Sequence, residues 1–275
     1  MPTDPNTLPA DPLKRLESIM SILRGPDGCP WDREQDHHTL RTYLLEETYE
    51  VLDLLDSPDG IDDEEFVEEL GDLLLQVVFH AQLAAERDAF DLDRVAERIC
   101  SKLIHRHPHV FASTEVSGTG EVLQNWERLK QAEGKKSALD GVPASLPALL
   151  RAHRIVAKAD RTGFRWGSGA EAFAKVREEF GELEEAVTAS LDGDSSSVDE
   201  VASEFGDLVM SLATLLLQFG IDPELAAREA TQRFEQRFRS MENTVSEEGV
   251  TLIDLDRDDL LERWEQARQP DASAE

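Results

Sequence analysis

Cysteine is almost absent from this chain: Cys29 and Cys100 are the only two in 275 residues. Two thiols make no disulfide framework, so a reducing compartment is expected, with both residues serving as small apolar side chains. No apolar run approaches the roughly 18 residues that a membrane span requires. The first eleven residues lack the basic and apolar segments of a signal peptide. The expected location is therefore cytoplasmic, with no membrane partner. Lysine is also scarce, at 7 of the 28 basic residues, and these face 58 Asp and Glu for a formal charge of −30. Such a field repels nucleic-acid backbones and anionic lipid, so neither is expected as a partner. Period-two alternation is missing throughout, which excludes strands and leaves an all-α chain.

Helical periodicity is plentiful. Apolar residues at 13, 16, 19, 20 and 23 mark a first helix, which Arg24 to Pro30 breaks. Further helices are expected over 40–55, 62–87, 92–105 and around 121–131. The stretch 133–147, rich in Gly, Pro and Lys, is the best linker candidate. The second half repeats the plan over 149–161, 170–191, 198–220, 223–241 and 258–268, with a mobile turn at 192–197. The boundaries expected are 12–138 for an N-terminal domain and 139–270 for a C-terminal one.

The repeat is chemical as well as helical. Glu46, Glu47 and Glu50 recur as Glu178, Glu179 and Glu182 at an offset of 132, and Glu69 and Asp72 as Glu204 and Asp207 at 135. Lys102 and Arg106 recur as Arg233 and Arg237 at 131, and Trp126 and Lys130 as Trp264 and Arg268 at 138. Carboxylates, a basic pair, and an aromatic with a cation keep one order in both halves.

Residues three and four apart share a helix face. Glu179 and Glu182 therefore project together, and Glu204 and Asp207 project from the next helix. If the two helices pack antiparallel, their acids meet. Like charges about 4 Å apart repel by roughly 4 kcal/mol per pair at an effective dielectric near 20. Such a cluster either takes up protons or binds a cation. Carboxylate oxygens without Cys or clustered His select Mg²⁺, with Mn²⁺ as the alternative. One Glu-Glu-x-x-Glu alone would be a solvated helix face. Its pairing with Glu-x-x-Asp ahead of an apolar helix, occurring twice, points to metal. Gly71, Gly181 and Gly206 sit mid-helix at about 1 kcal/mol against Ala, which close helix approach would explain. The pairs Arg233/Arg237, Lys102/Arg106 and Lys158/Arg161 are candidates to receive phosphate oxygens. Trp264 with Arg268, and Trp126 with Lys130, offer a flat apolar face beside a cation, where a base could stack. His105, His107 and His109 alternate around Pro108 and do not share a helix face, so structural roles are expected for them.

Longer stretches carry a specific resemblance. Gly28-Cys29-Pro30-Trp31-Asp32, Leu45 to Val51, Glu69 to Leu74, Arg106 to Phe111 and Asn125-Trp126-Glu127 resemble the MazG family of all-α nucleoside triphosphate pyrophosphohydrolases. The resemblance covers all but about ten residues at each end. It implies two tandem MazG-type helical domains in a homodimer, with four-helix-bundle-like assemblies completed by dimerisation. It implies Mg²⁺-dependent cleavage of the α–β phosphoanhydride of nucleoside triphosphates, giving a monophosphate and pyrophosphate, with the C-terminal copy as the main catalytic one. Nucleotide-pool housecleaning or ppGpp-linked nucleotide control would be the setting. Glu179, Glu182, Glu204 and Asp207 resemble the metal ligands, with Glu47, Glu50, Glu69 and Asp72 as the N-terminal set. Glu178 completes the motif, and Glu178 or Glu179 is the candidate to take a proton from water. Arg233, Arg237, Trp264 and Arg268 resemble the nucleotide contacts, with Lys158 and Arg161 as further candidates. Glu46, Lys102, Arg106, Trp126 and Lys130 are the second-copy candidates. The chain departs from the family at Glu200, where a Lys is frequent, and at Arg268, also frequently Lys. Two rivals stand beside this reading: a related hydrolase for deoxyuridine nucleotides or phosphoribosyl-ATP, and a nucleotide-binding regulator without turnover.

Low Lys with abundant acid is the pattern of a salt-adapted protein. The thermal midpoint is expected to fall on desalting, checked by melts in high and low potassium chloride.

Overall fold

The computed structural model describes residues 4–57, 60–112, 116–118, 121–122, 137–165, 167–192 and 197–268. Among them are eleven α-helices and no strand. The chain divides into two compact units, Met1–Lys130 and Gln131–Glu275. The first holds α1 (Pro12–Arg24), α2 (Pro30–Glu34), α3 (Arg41–Leu55), α4 (Asp63–Ala85), α5 (Leu92–Arg106) and α6 (Pro108–Phe111). The second holds α7 (Ala148–Asp160), α8 (Gly169–Leu191), α9 (Ser197–Gln218), α10 (Pro223–Glu247) and α11 (Arg257–Arg268).

The starts of these helices follow from local chemistry. Asp11, Asp62, Asp91, Ser168 and Asp222 each accept a hydrogen bond from a first-turn amide of the helix they precede, satisfying donors that the helix itself leaves unpaired. The helices before Pro30 and Pro108 end at Arg24 and Arg106, close to the expected 23 and 105, but the short helices α2 and α6 that follow are absent from the sequence reading. Each proline stands at the first helical position, where its missing N–H is no loss. Helix α10 runs on to Glu247, past the expected end at Met241. The helix expected around 121–131 lies outside the described residues beyond Glu121 and Val122.

Helix α4 is central to the first unit and packs against α1, α3 and α5. Met20, Leu40, Val78, Phe79 and Leu83 form its core, with Leu16, Leu23, Tyr43, Leu75 and Leu92 packed around them. Arg24 ties this unit together. It ion-pairs with Glu86, donates to the carbonyls of Asp32 and Gln35, and lies 5.5 Å from the Phe79 ring centre. In the second unit α9 takes the central place between α7 and α8, while α10 packs on α11 and touches α7. The buried apolar residues there are small: Ala152, Ala172, Ala186 and Ala213, joined by Met241 and Val245.

The turn after the first helix of each unit demands glycine. At Gly28 a Cβ would lie 2.1 Å from the carbonyl oxygen of Leu23. Gly163 has φ +93°, the left-handed conformation that ends a helix. Each turn closes with the next amide, Cys29 or Phe164, donating to Leu23 or Ala159. Both thiols are free, and Cys100 is exposed rather than packed in a core.

Apolar side chains also line open surface. On α9, Val198, Phe205 and Leu212, followed by Phe219 just past its end, recur every seventh residue and are exposed, Phe205 at 59%. On α8, Phe173, Phe180 and Val187 do the same. Val67, Leu70, Leu74 and Val77 form an equivalent stripe on α4. The mid-helix glycines belong to these surfaces. A Cβ at Gly71, Gly181 or Gly206 meets nothing within 4 Å. This corrects the expectation of close helix approach: among the described residues, no neighbouring helix crowds these positions.

Candidate metal centre

The acidic residues come together as the spacing predicts. Helices α3 and α4 run antiparallel, because Glu47 is reached by Gln76 while Glu50 lies against Glu69. Ligand oxygens of Glu47, Glu50 and Glu69 lie within 4.8 Å of one another. Asp72 adds its charge to the same group. Burial first, then contact with Glu50 and the charges of Asp72, Glu50 and Glu69, holds the Glu47 carboxyl above its usual range. Glu69 is raised in the same way, by burial and then by Glu50 and Asp72.

The C-terminal cluster is built alike from α8 and α9. Oxygens of Glu179, Glu204 and Asp207 lie within 4.8 Å of one another. Glu179 is only 6% exposed. Glu182 stands outside this trio, but burial and then the charges of Glu179 and Glu204 raise its pKa. A set of converging carboxylate oxygens, with Glu182 beside them pushed towards protonation, suits a hard divalent cation. Mg²⁺ fits it, and so does Mn²⁺.

One cation of the chain already sits at this cluster, and the sequence reading missed it. Lys175 Nζ lies 2.6 Å from Glu179 and 2.8 Å from Glu178. These contacts raise the lysine pKa, so it stays charged. The signal was available, since Lys175 precedes Glu178 and Glu179 by three and four residues. Glu178 itself is exposed beyond the trio.

A cavity of about 410 Å³ opens beside the C-terminal cluster. Glu179, Asp207 and Lys175 stand on its wall with Ile155, Val156, Phe164 and Met210. Ser211 and Thr214 also line it, each donating its hydroxyl hydrogen to a carbonyl of its own helix, Leu208 and Met210 respectively. Their lone pairs remain to accept. Sequence periodicity could not distinguish these wall positions from ordinary core.

The basic and aromatic candidates are placed differently. Trp264 packs on Phe234, with ring centres 4.8 Å apart, and joins α11 to α10. Arg233 ion-pairs with Glu229 at 3.6 Å and Arg268 with Glu265 at 2.8 Å, all exposed. Arg237 lies half-buried one turn from Arg233. Neither α10 nor α11 packs extensively on the α8–α9 pair. Lys158 donates to the carbonyl of Asp140 at 3.0 Å and so ties the segment before α7. Arg161 is exposed just past that helix. Glu46 and Lys102 are exposed and Arg106 is buried. Trp126 and Lys130 lie outside the described residues. His107 bonds through Nδ1 to the Leu103 carbonyl at 2.7 Å, a helix-end contact.

Comparison with known proteins agrees with this geometry. Residues 35–111 match the MazG nucleotide pyrophosphohydrolase domain, and residues 157–234 match the phosphoribosyl-ATP pyrophosphohydrolase family. A Thermotoga maritima protein named nucleoside triphosphate pyrophosphohydrolase/pyrophosphatase MazG is 41% identical over 261 residues, covering 94% of this chain and 96% of its own. An Escherichia coli nucleoside triphosphate pyrophosphohydrolase is 41% identical over 263 residues, covering 94% and 97%. A Mycobacterium tuberculosis protein of the same name is 44% identical over 149 residues, covering 53% and 44%. The paired helical units, each with a four-carboxylate motif, define a class of all-α pyrophosphohydrolases. Within that class the chain belongs to the MazG family of nucleoside triphosphate pyrophosphohydrolases.

The cluster's electrostatics set a pH signature. A carboxyl whose pKa is raised by folding destabilises the fold once ionised, and the penalty grows as pH rises from its unfolded value through its folded one. Without divalent metal, Glu182→Gln is therefore expected to raise the melting temperature at pH 7.5. The gain should shrink as pH falls through the raised Glu182 pKa and vanish below the value of an unfolded glutamate. Paired melts of wild type and variant in EDTA across that range check this.

Proposed function

We propose that the chain hydrolyses nucleoside and deoxynucleoside triphosphates between the α and β phosphates, with Mg²⁺ held at the C-terminal cluster. The observation that carries this reading is the shared wall: one cavity presents Glu179, Asp207 and Lys175 together with an apolar slot. A base and sugar fit against Ile155, Val156, Phe164 and Met210, which leaves the phosphates at the acids. Glu179, Glu182, Glu204 and Asp207 would hold the ion, which offsets phosphate charge and lowers the pKa of an attacking water. Glu178, which shares Lys175 with Glu179, would take the proton. Lys175 supplies a phosphate cation at the cluster, where Glu200 supplies none. Glu179→Gln is expected to cut pyrophosphate release from dATP and Mg²⁺ by at least about 100-fold. Undiminished release by that variant would sink the reading.

The substrate range is a matter for the same assay. The match of residues 157–234 to phosphoribosyl-ATP pyrophosphohydrolase supports phosphoribosyl-ATP as a second substrate candidate. A panel of triphosphates that includes it, with deoxyuridine nucleotides, separates these readings. Binding without turnover across the panel would favour the regulator.

The working unit is a homodimer in this proposal. Exposed apolar residues at seven-residue spacing on α8 and α9, and the stripe on α4, are surfaces that a second copy covers in four-helix assemblies. Gly181 and Gly206 leave room there for close approach. The same packing would bring a partner's α10 and α11 within reach of a site that their own unit leaves apart. Sedimentation is expected to give twice the chain mass of 30.8 kDa for wild type. Phe205→Glu should sediment as the single chain, and a single-chain mass for wild type would refute the dimer.

A further inference from the structure

Residue type makes Lys158 a candidate for phosphate, but its ammonium is engaged elsewhere. Nζ donates to the backbone carbonyl of Asp140 at 3.0 Å and reaches that of Ala138 at 3.5 Å. Among the described residues, the cavity wall does not include Lys158, but it does include Leu139, the residue between those two carbonyls. Ile155 and Ala159, which share a helix face with Lys158, stand on the same wall. The lysine grips backbone at the edge of the cavity, and the gripped backbone carries an apolar side chain to the wall. Leu139 is 41% exposed, so this side chain divides its surface between cavity and solvent. It forms a lip.

The gripped segment is a turn closed on itself. The Asp140 amide donates to the Ser137 carbonyl at 3.1 Å, the Ser137 amide to the Asp140 carboxylate at 3.0 Å, and the Leu139 amide to the Ser137 hydroxyl at 3.2 Å. These bonds join neighbours, so they fix the shape of the turn but not its place against α7. Lys158, eighteen residues beyond Asp140, supplies the place. A hydrogen bond from a charged donor is among the stronger ones. Counted from their first residues, α1 has Ile22 where α7 has Lys158. The helical plan common to the two units therefore does not itself ask for a cation here.

We propose that Leu139 packs on the nucleoside of the substrate, and that Lys158 is a positioning residue that holds the 137–141 turn so that Leu139 stays on the wall. The proposal rests on the reading of this cavity as the nucleotide site. It moves Lys158 away from the phosphates: losing the lysine costs the substrate an apolar contact, not a charge.

The test is a double-mutant cycle on the full chain, with dATP and Mg²⁺, using Leu139→Ala, Lys158→Met, which keeps the stem, and the two combined. Each single variant should raise KM by about tenfold while kcat falls by less than about twofold. The combined variant should be no worse than the weaker-binding single one, because both changes remove the same contact. Lys158→Arg, which can still donate to the carbonyls, should recover most of the lost affinity. Inhibition by deoxyadenosine monophosphate should weaken with KM, and inhibition by pyrophosphate should not. KM effects that multiply in the combined variant, or weakened pyrophosphate inhibition in Lys158→Met, would assign the lysine to phosphate and overturn the proposal. An unchanged KM in Leu139→Ala would overturn it too. If wild type releases no pyrophosphate, the catalytic reading falls, and amide exchange at 137–141 decides the proposal alone. Slower exchange with dATP in wild type but not in Lys158→Met upholds it, and exchange that dATP leaves unchanged ends it.

Discussion

Repulsion between carboxylates is the constraint from which this architecture follows. Two helices can bring four acids into one space only if something else fixes their approach. In the first unit that is the Met20–Phe79 core below the cluster, with Arg24 bracing α1 and α2 against α4. In the second it is the alanine-lined seam of α8 and α9. The cost of the clusters is visible in Glu47, Glu69 and Glu182, all pushed towards protonation by burial and by the carboxylates around them. A divalent cation removes that cost at a stroke, so fold and ion are matched by charge rather than by any single bond.

Much of this was readable from residue spacing. The helices, the pairing of Glu-Glu-x-x-Glu with Glu-x-x-Asp, and its duplication rest on local periodicity, which survives into the structure because helix geometry is local. What spacing could not supply was the third dimension. Val156, Ala159 and Thr214 become a cavity wall only when α7 meets α9, and no pattern within α7 announces it. Lys175 lay within reach of a spacing argument, yet it was passed over among so many charges. The helices before Pro30 and Pro108 end as expected, but spacing does not show that each proline also opens a short helix, where its missing N–H is no loss. The glycines were assigned a close contact that their own unit does not provide.

The repeat also shows what duplication preserves. The acids, the glycine turns at Gly28 and Gly163, and the capping logic recur, because each is demanded by backbone or by charge. The apolar positions around them drift in size. Leu23 and Ala159, or Phe79 and Thr214, satisfy the same helical pattern while deciding between a filled interior and an open one. Binary patterning is blind to that choice.

The open interior of the second unit has a consequence for how the molecule answers heat. Its buried apolar residues are mostly alanine, and a cavity of about 410 Å³ opens beside the acidic cluster. Side chains facing such a cavity lack neighbours on one side and give up packing energy there. A ligand that enters the void becomes, in effect, the missing centre of the core. Its binding energy adds to the stability of that unit alone and rises with its concentration. If nucleotide occupies that cavity, as proposed, the stability of the second unit rises with the nucleotide supply. Heating the protein with and without nucleotide would then read out occupancy of that cavity as a shift in how the second unit melts.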